Sequence, residues 1–115
     1  MKKINIVKKN EDYNRIIKSN KPFKYKDYII YIERNTNDIY HFGFSIGKKI
    51  GNAVTRNKIK RQLKSIIDKN TYQNGFNCII IVGRGLLRKS FQEKECELNE
   101  ALNKLKIKEN KDEKN

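Results

Sequence analysis

The sequence predicts one α+β domain with the element order α-β-β-α-β-α around a mixed β-sheet. Three segments repeat apolar residues every three or four positions, which is typical of helices with one buried face. Three other runs are rich in β-branched and aromatic residues, which favour strands. The chain has 115 residues and no internal repeat or long linker. We therefore expect one domain over residues 1–107 and a disordered tail over 108–115.

The first helix is predicted over Asn10–Ser19. Tyr13, Ile16 and Ile17 follow the three-and-four spacing of a short helix with one apolar stripe. Pro22 comes soon after and cannot continue a helix. Such a stripe faces either the core or an open cleft, and the sequence leaves both possibilities for Tyr13 and Ile17.

Two strands are predicted next, over Tyr25–Arg34 and Ile39–Gly47. The polar residues 35–38 between them favour a β-hairpin with a four-residue loop. Because side chains alternate along a strand, the first strand has one apolar face and one mixed face. The face expected in the core consists of Tyr28, Ile30 and Ile32. The opposite face consists of Asp27, Ile29, Tyr31 and Glu33.

A helix and a strand follow. The helix is predicted from Asn52 or Thr55 to about Lys69, and its apolar arc comprises Ile59, Leu63, Ile66 and Ile67. The strand Phe76–Gly83 is apolar almost throughout, which indicates a central or parallel strand covered on both faces. About 28 residues containing one helix connect it to Gly47, as in a crossover between parallel strands.

The last helix is predicted to begin after Ser90, which forms a capping box with Glu93, and to end near Lys106. Its apolar stripe consists of Phe91, Leu98, Ala101, Leu102 and Leu105.

The chain is strongly basic, with 27 Lys and Arg against 13 Asp and Glu and a formal net charge of +14. The distribution is uneven. Lys48–Lys64 contains seven cations, whereas Asp68 is the only acidic residue between Ile39 and Gln92. A surface of one sign favours a polyanionic partner such as nucleic acid.

Neither membrane insertion nor disulfide bonding is predicted. The apolar runs fall short of the ~18 residues that span a bilayer. The apolar start of the chain is interrupted at Asn5 and stopped by Lys8 and Lys9, unlike a signal peptide. We therefore expect a cytoplasmic protein without a membrane partner. Cys78 and Cys96 match neither a metal knuckle nor a disulfide scaffold, so both are expected to be reduced.

The segment Gly43–Lys64 combines a strand end, a turn and the start of a helix. Gly47 and Gly51 allow close approach of the turn to a phosphate backbone. The helix N-terminus adds N–H donors and a positive dipole. Basic residues then repeat every four positions without an acidic partner, at Arg56, Lys60 and Lys64. These features predict a surface that binds RNA.

Three other interpretations of this segment are weaker. A merely solvated basic face would normally mix both signs of charge. A nucleotide-binding loop requires Ser or Thr where Lys49 stands, and its glycine spacing is one residue longer. The aromatic pair Phe42 and Phe44 is similar to the stacking motif of an RNA-recognition module, but that module has a different element order.

The run Gly51–Arg61, Gly-Asn-Ala-Val-Thr-Arg-Asn-Lys-Ile-Lys-Arg, resembles the signature of the bacterial ribonuclease P protein component. The resemblance extends over about residues 6 to 106, because Asp12–Ile17, Gly43–Lys49 and Phe76–Arg84 fall where that family has counterparts. It implies a two-layer α/β sandwich with a left-handed βαβ crossover, against the usual hand. It also implies a subunit of the ribonucleoprotein that removes the 5′ leader from precursor tRNA.

The resemblance implies two sites. Contacts with the catalytic RNA are implied for Lys48, Lys49, Asn52, Arg56, Asn57, Lys60, Arg61 and Lys64. A cleft between the first helix and the sheet is implied to hold the single-stranded leader, with Tyr13, Ile17 and Tyr31 as candidates. Tyr31 can stack on an unpaired base, whereas Ile17 stands where the family commonly has Phe. Lys58 stands where Arg is usual, and Lys lacks the bidentate geometry of Arg.

Catalysis is expected to reside in the RNA subunit, with Mg²⁺ bound mainly by that RNA. No catalytic or metal-binding residue is therefore expected on the protein, and no obligate protein partner is implied. Asp27, Glu33 and Asp38 form the alternative metal site, which would make the chain a nuclease on its own. His41 has no evident partner in the sequence. A structural RNA-binding protein, such as a ribosomal component, is the rival from another class.

Overall fold

A computed structural model describes residues 1–109 of the chain. Three helices and four strands form the framework. In chain order they are α1 (Asn10–Ser19), β1 (Phe23–Tyr25), β2 (Tyr28–Arg34), β3 (Tyr40–Ser45), α2 (Ala53–Asp68), β4 (Phe76–Val82) and α3 (Phe91–Leu105). Short 3₁₀ turns occupy Lys3–Asn5, Lys48–Ile50 and Arg84–Arg88. The α+β class is confirmed, and α1 has the predicted bounds.

The strands form one mixed sheet in the order β1-β2-β4-β3. β4 is central, antiparallel to β2 and parallel to β3. The prediction of a central or parallel strand, reached by a helical crossover, is therefore confirmed. Its sequence explains the position, because Cys78, Ile79 and Ile80 are all fully buried and a strand covered on both faces needs apolar residues in succession.

The predicted hairpin is wrong, because β4 lies between β2 and β3. Alternation specifies which face of a strand is buried but not which strand lies beside it, and a short polar connection suits either arrangement. The hairpin in the structure joins β1 to β2, with Tyr25 paired to Tyr28. Lys26, in the turn between them, has a φ of 53°. The predicted first strand is thereby divided, and Asp27 lies in the turn rather than on a strand face.

Helices cover both faces of the sheet. On one face, α2 and α3 pack on a core that contains the predicted residues Tyr28 and Ile30 and the whole predicted α2 stripe. Ile32 is partly buried against this core. On the opposite face, Ile16 of α1 packs with Val7 and Ile79 in a smaller cluster. The predicted two-layer arrangement thus acquires a partial third layer, formed by α1.

The end of the described chain is held by backbone hydrogen bonds. Lys108 forms a β-bridge with Tyr72, and the Glu109 N–H donates to the Thr71 carbonyl at 2.9 Å. The predicted disordered tail begins with these two residues, and its remainder, 110–115, lies outside the described residues. Among residues 1–109, no helix is long and apolar enough to cross a bilayer.

Candidate nucleic-acid interface

The basic turn is built around Gly51. This residue has a φ of 153°, which disfavours any side chain, and an added Cβ would lie 3.1 Å from Thr55 carbon atoms. Gly47 differs, because its φ of –72° suits other residues and a Cβ there would meet open space within the described protein. Lys48 and Lys49 are both exposed on the turn between the two glycines. The conformational argument therefore applies to Gly51 alone.

Two predicted RNA-contacting residues also stabilise the start of α2. The Asn52 side-chain oxygen accepts a hydrogen bond from the Thr55 N–H at 2.9 Å, so Asn52 is the N-cap of the helix. The Arg56 Nε donates to the Gly51 carbonyl at 3.2 Å, which fixes the guanidinium beside the turn. The Asn52 amide nitrogen and the terminal nitrogens of Arg56 keep donors for a ligand.

The outer surface of α2 is basic. Asn57, Lys60 and Arg61 are exposed, and Lys64 is half-buried, all on the side away from the apolar stripe. Asp68, the last residue of α2, is the only acidic residue of the helix. Within residues 1–109, none of the cations from Lys48 to Lys64 forms a salt bridge. Their mutual repulsion is therefore uncompensated inside the described protein.

A cleft of about 790 Å³ lies between α1, the end of β3 and α2. Tyr13 and Ile17 line it from α1, Phe44 and Ser45 from β3, and Lys60 from α2. Both α1 residues are half-buried and also pack against the small cluster around Ile16. The sequence left open whether Tyr13 and Ile17 face the core or a cleft. In the structure the same two side chains pack against the buried cluster and also line the cleft.

Tyr13 joins α1 to the outer edge of β3. Its hydroxyl accepts a hydrogen bond from the Phe44 N–H at 3.2 Å and donates to the Val7 carbonyl at 3.4 Å. Burial raises the pKa of this hydroxyl, and the Phe44 N–H partly opposes the shift. Gly43 provides the space, because a Cβ there would lie 2.7 Å from the Tyr13 hydroxyl and 2.8 Å from Ile79. This close packing gives the glycine a role that the sequence did not reveal.

Tyr31 lies on the same sheet face but is not among the residues that line this cleft. In the strand register it is paired with Ile79, which is paired in turn with Gly43. The next row on this face consists of Ile29, Ile81 and Ser45. Tyr31 is half-buried and packs against the α1 cluster. The three predicted leader-binding residues therefore border one cluster, and of these three Tyr13 and Ile17 line the cleft while Tyr31 does not.

The alternative metal site is not assembled. Asp27 forms a salt bridge with Lys89 at 2.7 Å, whereas Glu33, at the other end of β2, accepts hydrogen bonds from Arg15 and Asn77. The Arg15 guanidinium holds the pKa of Glu33 below its usual range. No group of three His, Cys, Asp or Glu side chains suited to a metal occurs among the described residues.

His41 does have a partner that the sequence did not indicate. Its Nδ1 lies 2.8 Å from the Asn77 side-chain oxygen, in the paired register of β3 and β4. The same Asn77 also donates to Glu33. His41 therefore belongs to a polar row across the sheet.

Comparison with known proteins agrees with this geometry. A family model described as Ribonuclease P matches residues 1–106. The ribonuclease P protein component of Mesoplasma florum is 36% identical over 102 residues, covering 86% of this chain and 93% of that protein. That of Mycoplasma capricolum is 42% identical over 90 residues, covering 76% and 83%. The RNase P protein structure from Staphylococcus aureus has a TM-score of 0.82 and 28% identity, covering 90% and 96%. The family match includes the sheet, the basic turn and all three helices.

Proposed function

This chain belongs to the bacterial ribonuclease P protein family, and we propose that it binds the catalytic RNA of that enzyme and the 5′ leader of precursor tRNA. In this role it assists the Mg²⁺-dependent endonucleolytic removal of the leader, with the chemistry performed by the RNA subunit. The proposal includes a cytoplasmic location, where precursor tRNA is processed in bacteria.

The charge of α2 supports binding to the catalytic RNA. Lys48, Lys49 and the basic residues of α2 lie close together without salt bridges among residues 1–109. Phosphates that approach this surface release counterions and relieve repulsion between the cations. The guanidinium of Arg56 is held beside the turn by its bond to the Gly51 carbonyl, and its terminal nitrogens keep donors for a phosphate.

The position of Lys60 is the observation that best supports the proposal. This exposed lysine is part of the basic surface of α2 and also lines the cleft beside Tyr13 and Ile17. An RNA strand that enters the cleft therefore meets apolar surface and a cation together, the combination that binds single strands. The two proposed ligands, catalytic RNA and leader, would border each other along α2.

The cleft itself supports a ligand of loose sequence specificity. Tyr13 uses its hydroxyl for two protein hydrogen bonds, so its ring face is the part available to a base. Ile17 offers aliphatic packing only. Tyr31 is proposed as the stacking residue further along the sheet, beside the half-buried Ile29 and Ile81.

The proposal assigns Mg²⁺ mainly to the RNA subunit. Phosphodiester hydrolysis with two metal ions requires clustered oxygen ligands. The carboxylates that were alternative candidates, Asp27 and Glu33, are engaged by Lys89 and Arg15 instead. The protein would contribute by positioning the substrate and by reducing repulsion between two polyanions.

Reconstitution tests the proposal. Ribonuclease P RNA is incubated at low Mg²⁺ with precursor tRNA, with and without the purified protein, and the release of the 5′ leader is measured. We expect faster cleavage with the protein, because it reduces the need for Mg²⁺ to screen the phosphates. Cleavage no faster than with RNA alone would refute the proposal and would favour a purely structural RNA-binding role.

A further inference from the structure

A buried lysine lies in the groove between α2 and α3. Lys94, in the first turns of α3, is only 8% exposed, whereas lysine side chains are almost never fully buried unless they are paired. Its Nζ donates to the Gln62 side-chain oxygen of α2 at 2.9 Å. Gln62 is uncharged, so this bond does not neutralise the ammonium group.

The carboxylates of both helices are engaged elsewhere. Asp68 is at the far end of α2. On α3, the Glu93 carboxylate accepts a hydrogen bond from the Ser90 N–H, Glu95 pairs with Lys69, Glu97 with Lys89, and Glu100 accepts from the Tyr25 hydroxyl. Within residues 1–109, Lys94 forms no salt bridge. The Nζ position is partly buried, and an ammonium group held there without an anion carries a desolvation cost that a partner of negative charge would offset.

A second cation stands beside this groove. Lys58 lies one turn before Gln62 on α2, so the two side chains share one side of the helix. Burial first, and then the positive charge of Lys58, lower the pKa of Lys94. The Lys94 ammonium group is therefore held against the same side of α2 on which Lys58 lies, and its one side-chain hydrogen bond there is to the neutral amide of Gln62. An anion placed there would favour the charged form of both lysines.

We infer that Lys58 and Lys94 together bind one phosphate group of the catalytic RNA in the groove between α2 and α3. This inference rests on the proposed function, because it names an additional contact on the same RNA partner. Lys58 stands where the family usually has Arg, and a lysine alone gives a point charge rather than a planar fork. A second lysine from the neighbouring helix supplies the donors that a single lysine lacks.

The site extends the interface beyond the basic surface already described. Lys60 and Lys64 flank α2 on the side of the α1 cleft, whereas Lys58 and Gln62 lie on the side of α3. The catalytic RNA would therefore contact both borders of α2. The Lys94 contact also explains why a lysine replaces an apolar residue within the α3 stripe, three residues after Phe91 and four before Leu98.

Binding of ribonuclease P RNA at several KCl concentrations tests the inference, using wild type, Lys58→Met, Lys94→Met and the double variant. We expect each single variant to bind roughly tenfold more weakly, with a salt slope lower by about one phosphate. The double variant should lose little more, because both lysines contact the same phosphate. Lys104→Met, an exposed lysine of the same helix, is the matched control and should keep the wild-type slope.

Thermal unfolding of the free protein supplies a second measurement. Lys94→Met should raise the melting temperature, because it removes an uncompensated buried charge. The unfolding transition shows whether the variant is folded, and unchanged RNA affinity and salt slope in a folded Lys94→Met would overturn the inference. If Lys94→Met does not fold, Lys94→Gln takes its place, and the same outcomes decide. Failure of the wild-type protein to bind the RNA would instead refute the proposed function.

Discussion

The two faces of the sheet are covered to different degrees. Among residues 1–109, α2 and α3 close a core of nineteen buried residues on one face, whereas the cluster under α1 has three. The α1 cluster is completed by residues that stay half-buried, among them Tyr13, Ile17 and Tyr31. The closed face therefore supplies most of the apolar burial that stabilises the domain, and the α1 face keeps apolar surface available to a ligand.

The comparison extends to charge. On the closed face, α2 has five cations and one acidic residue, while α3 has four acidic residues and two lysines. The acidic residues of α3 are satisfied within the protein, for example by Lys69 and Lys89. Within residues 1–109 the cations of α2 form no salt bridge, and they are the charges proposed to contact RNA. The core under α2 and α3 is therefore well buried, and the outer surface of α2 carries cations that form no salt bridge among residues 1–109.

The largest effect is expected from shortening one fully buried side chain in each of the two hydrophobic clusters. Leu63→Ala on the closed face should lower the free energy of unfolding by about 2–5 kcal/mol, because Leu63 is fully buried among many neighbours. Ile16→Ala, equally buried under α1, should fall at the lower end of that range, because the half-buried Tyr13 and Ile17 can move into the cavity. Urea unfolding followed by circular dichroism measures both. Equal losses would mean that the α1 face is as rigid as the other.

The next largest effect concerns the 5′ leader, the ligand proposed for the α1 face. Tyr31→Ala should weaken binding of precursor tRNA by the reconstituted enzyme by ~1–3 kcal/mol, the value of one stacked base. Binding of mature tRNA should not change, because it lacks the leader. Tyr31→Phe keeps the ring and is the matched control. Equal losses for both tRNAs would indicate damage to the fold rather than a lost leader contact.

A smaller effect is expected from single charges on α2. Arg61→Ala and Arg56→Ala should each lower the salt slope of RNA binding by about one phosphate. Arg56→Ala should also reduce stability slightly, since it removes the bond to the Gly51 carbonyl. Arg34→Ala serves as the control, because this exposed cation lies at the opposite end of the sheet. A slope unchanged by Arg61→Ala would remove that residue from the interface.

The smallest effect is expected from the ion pair beside α1. Arg15 lowers the pKa of Glu33, so the pair stabilises the fold above the ordinary carboxyl pKa and loses this contribution as the pH falls through the lower folded-state value. The Arg15 side chain is 49% exposed, so the contribution is below ~1 kcal/mol. Urea unfolding between about pH 3 and 6, the range in which carboxyl groups titrate, should show that the free energy of unfolding depends less on pH in Arg15→Ala. If Arg15→Ala and the wild type had the same pH profile, the pair between Arg15 and Glu33 would not contribute to stability.

Local features were the most predictable from the sequence. The α1 stripe and the Ser90 capping box gave the correct helices, since both depend on residues within a few positions of each other. The partner of each strand was not predictable in the same way. The order β1-β2-β4-β3 depends on where the most apolar strand is best covered, which is a property of the whole chain.

The sequence grouped the candidate RNA-binding residues into one basic segment, but it did not reveal how they are held. The sequence indicated that Asn52 and Arg56 belong to the basic segment, but the hydrogen bonds to Thr55 and Gly51 depend on the fold of the turn. Lys94 was missed, although its place within the apolar stripe of α3 is a signal in the sequence. A charged residue within an apolar stripe predicts a charge that is at least partly buried and therefore needs a polar or charged partner.

The central place of β4 has a consequence for synthesis. A chain that grows from its N-terminus exposes β2 and β3 before β4, and each of these strands pairs with β4. The sheet can therefore be completed only when residue 82 has left the ribosome. Until then α2, already made and highly basic, lacks the surface that buries its apolar stripe. We expect the nascent chain to become competent for RNA binding late, after β4 and then α3 have emerged, because α3 supplies part of the core that buries the apolar stripe of α2.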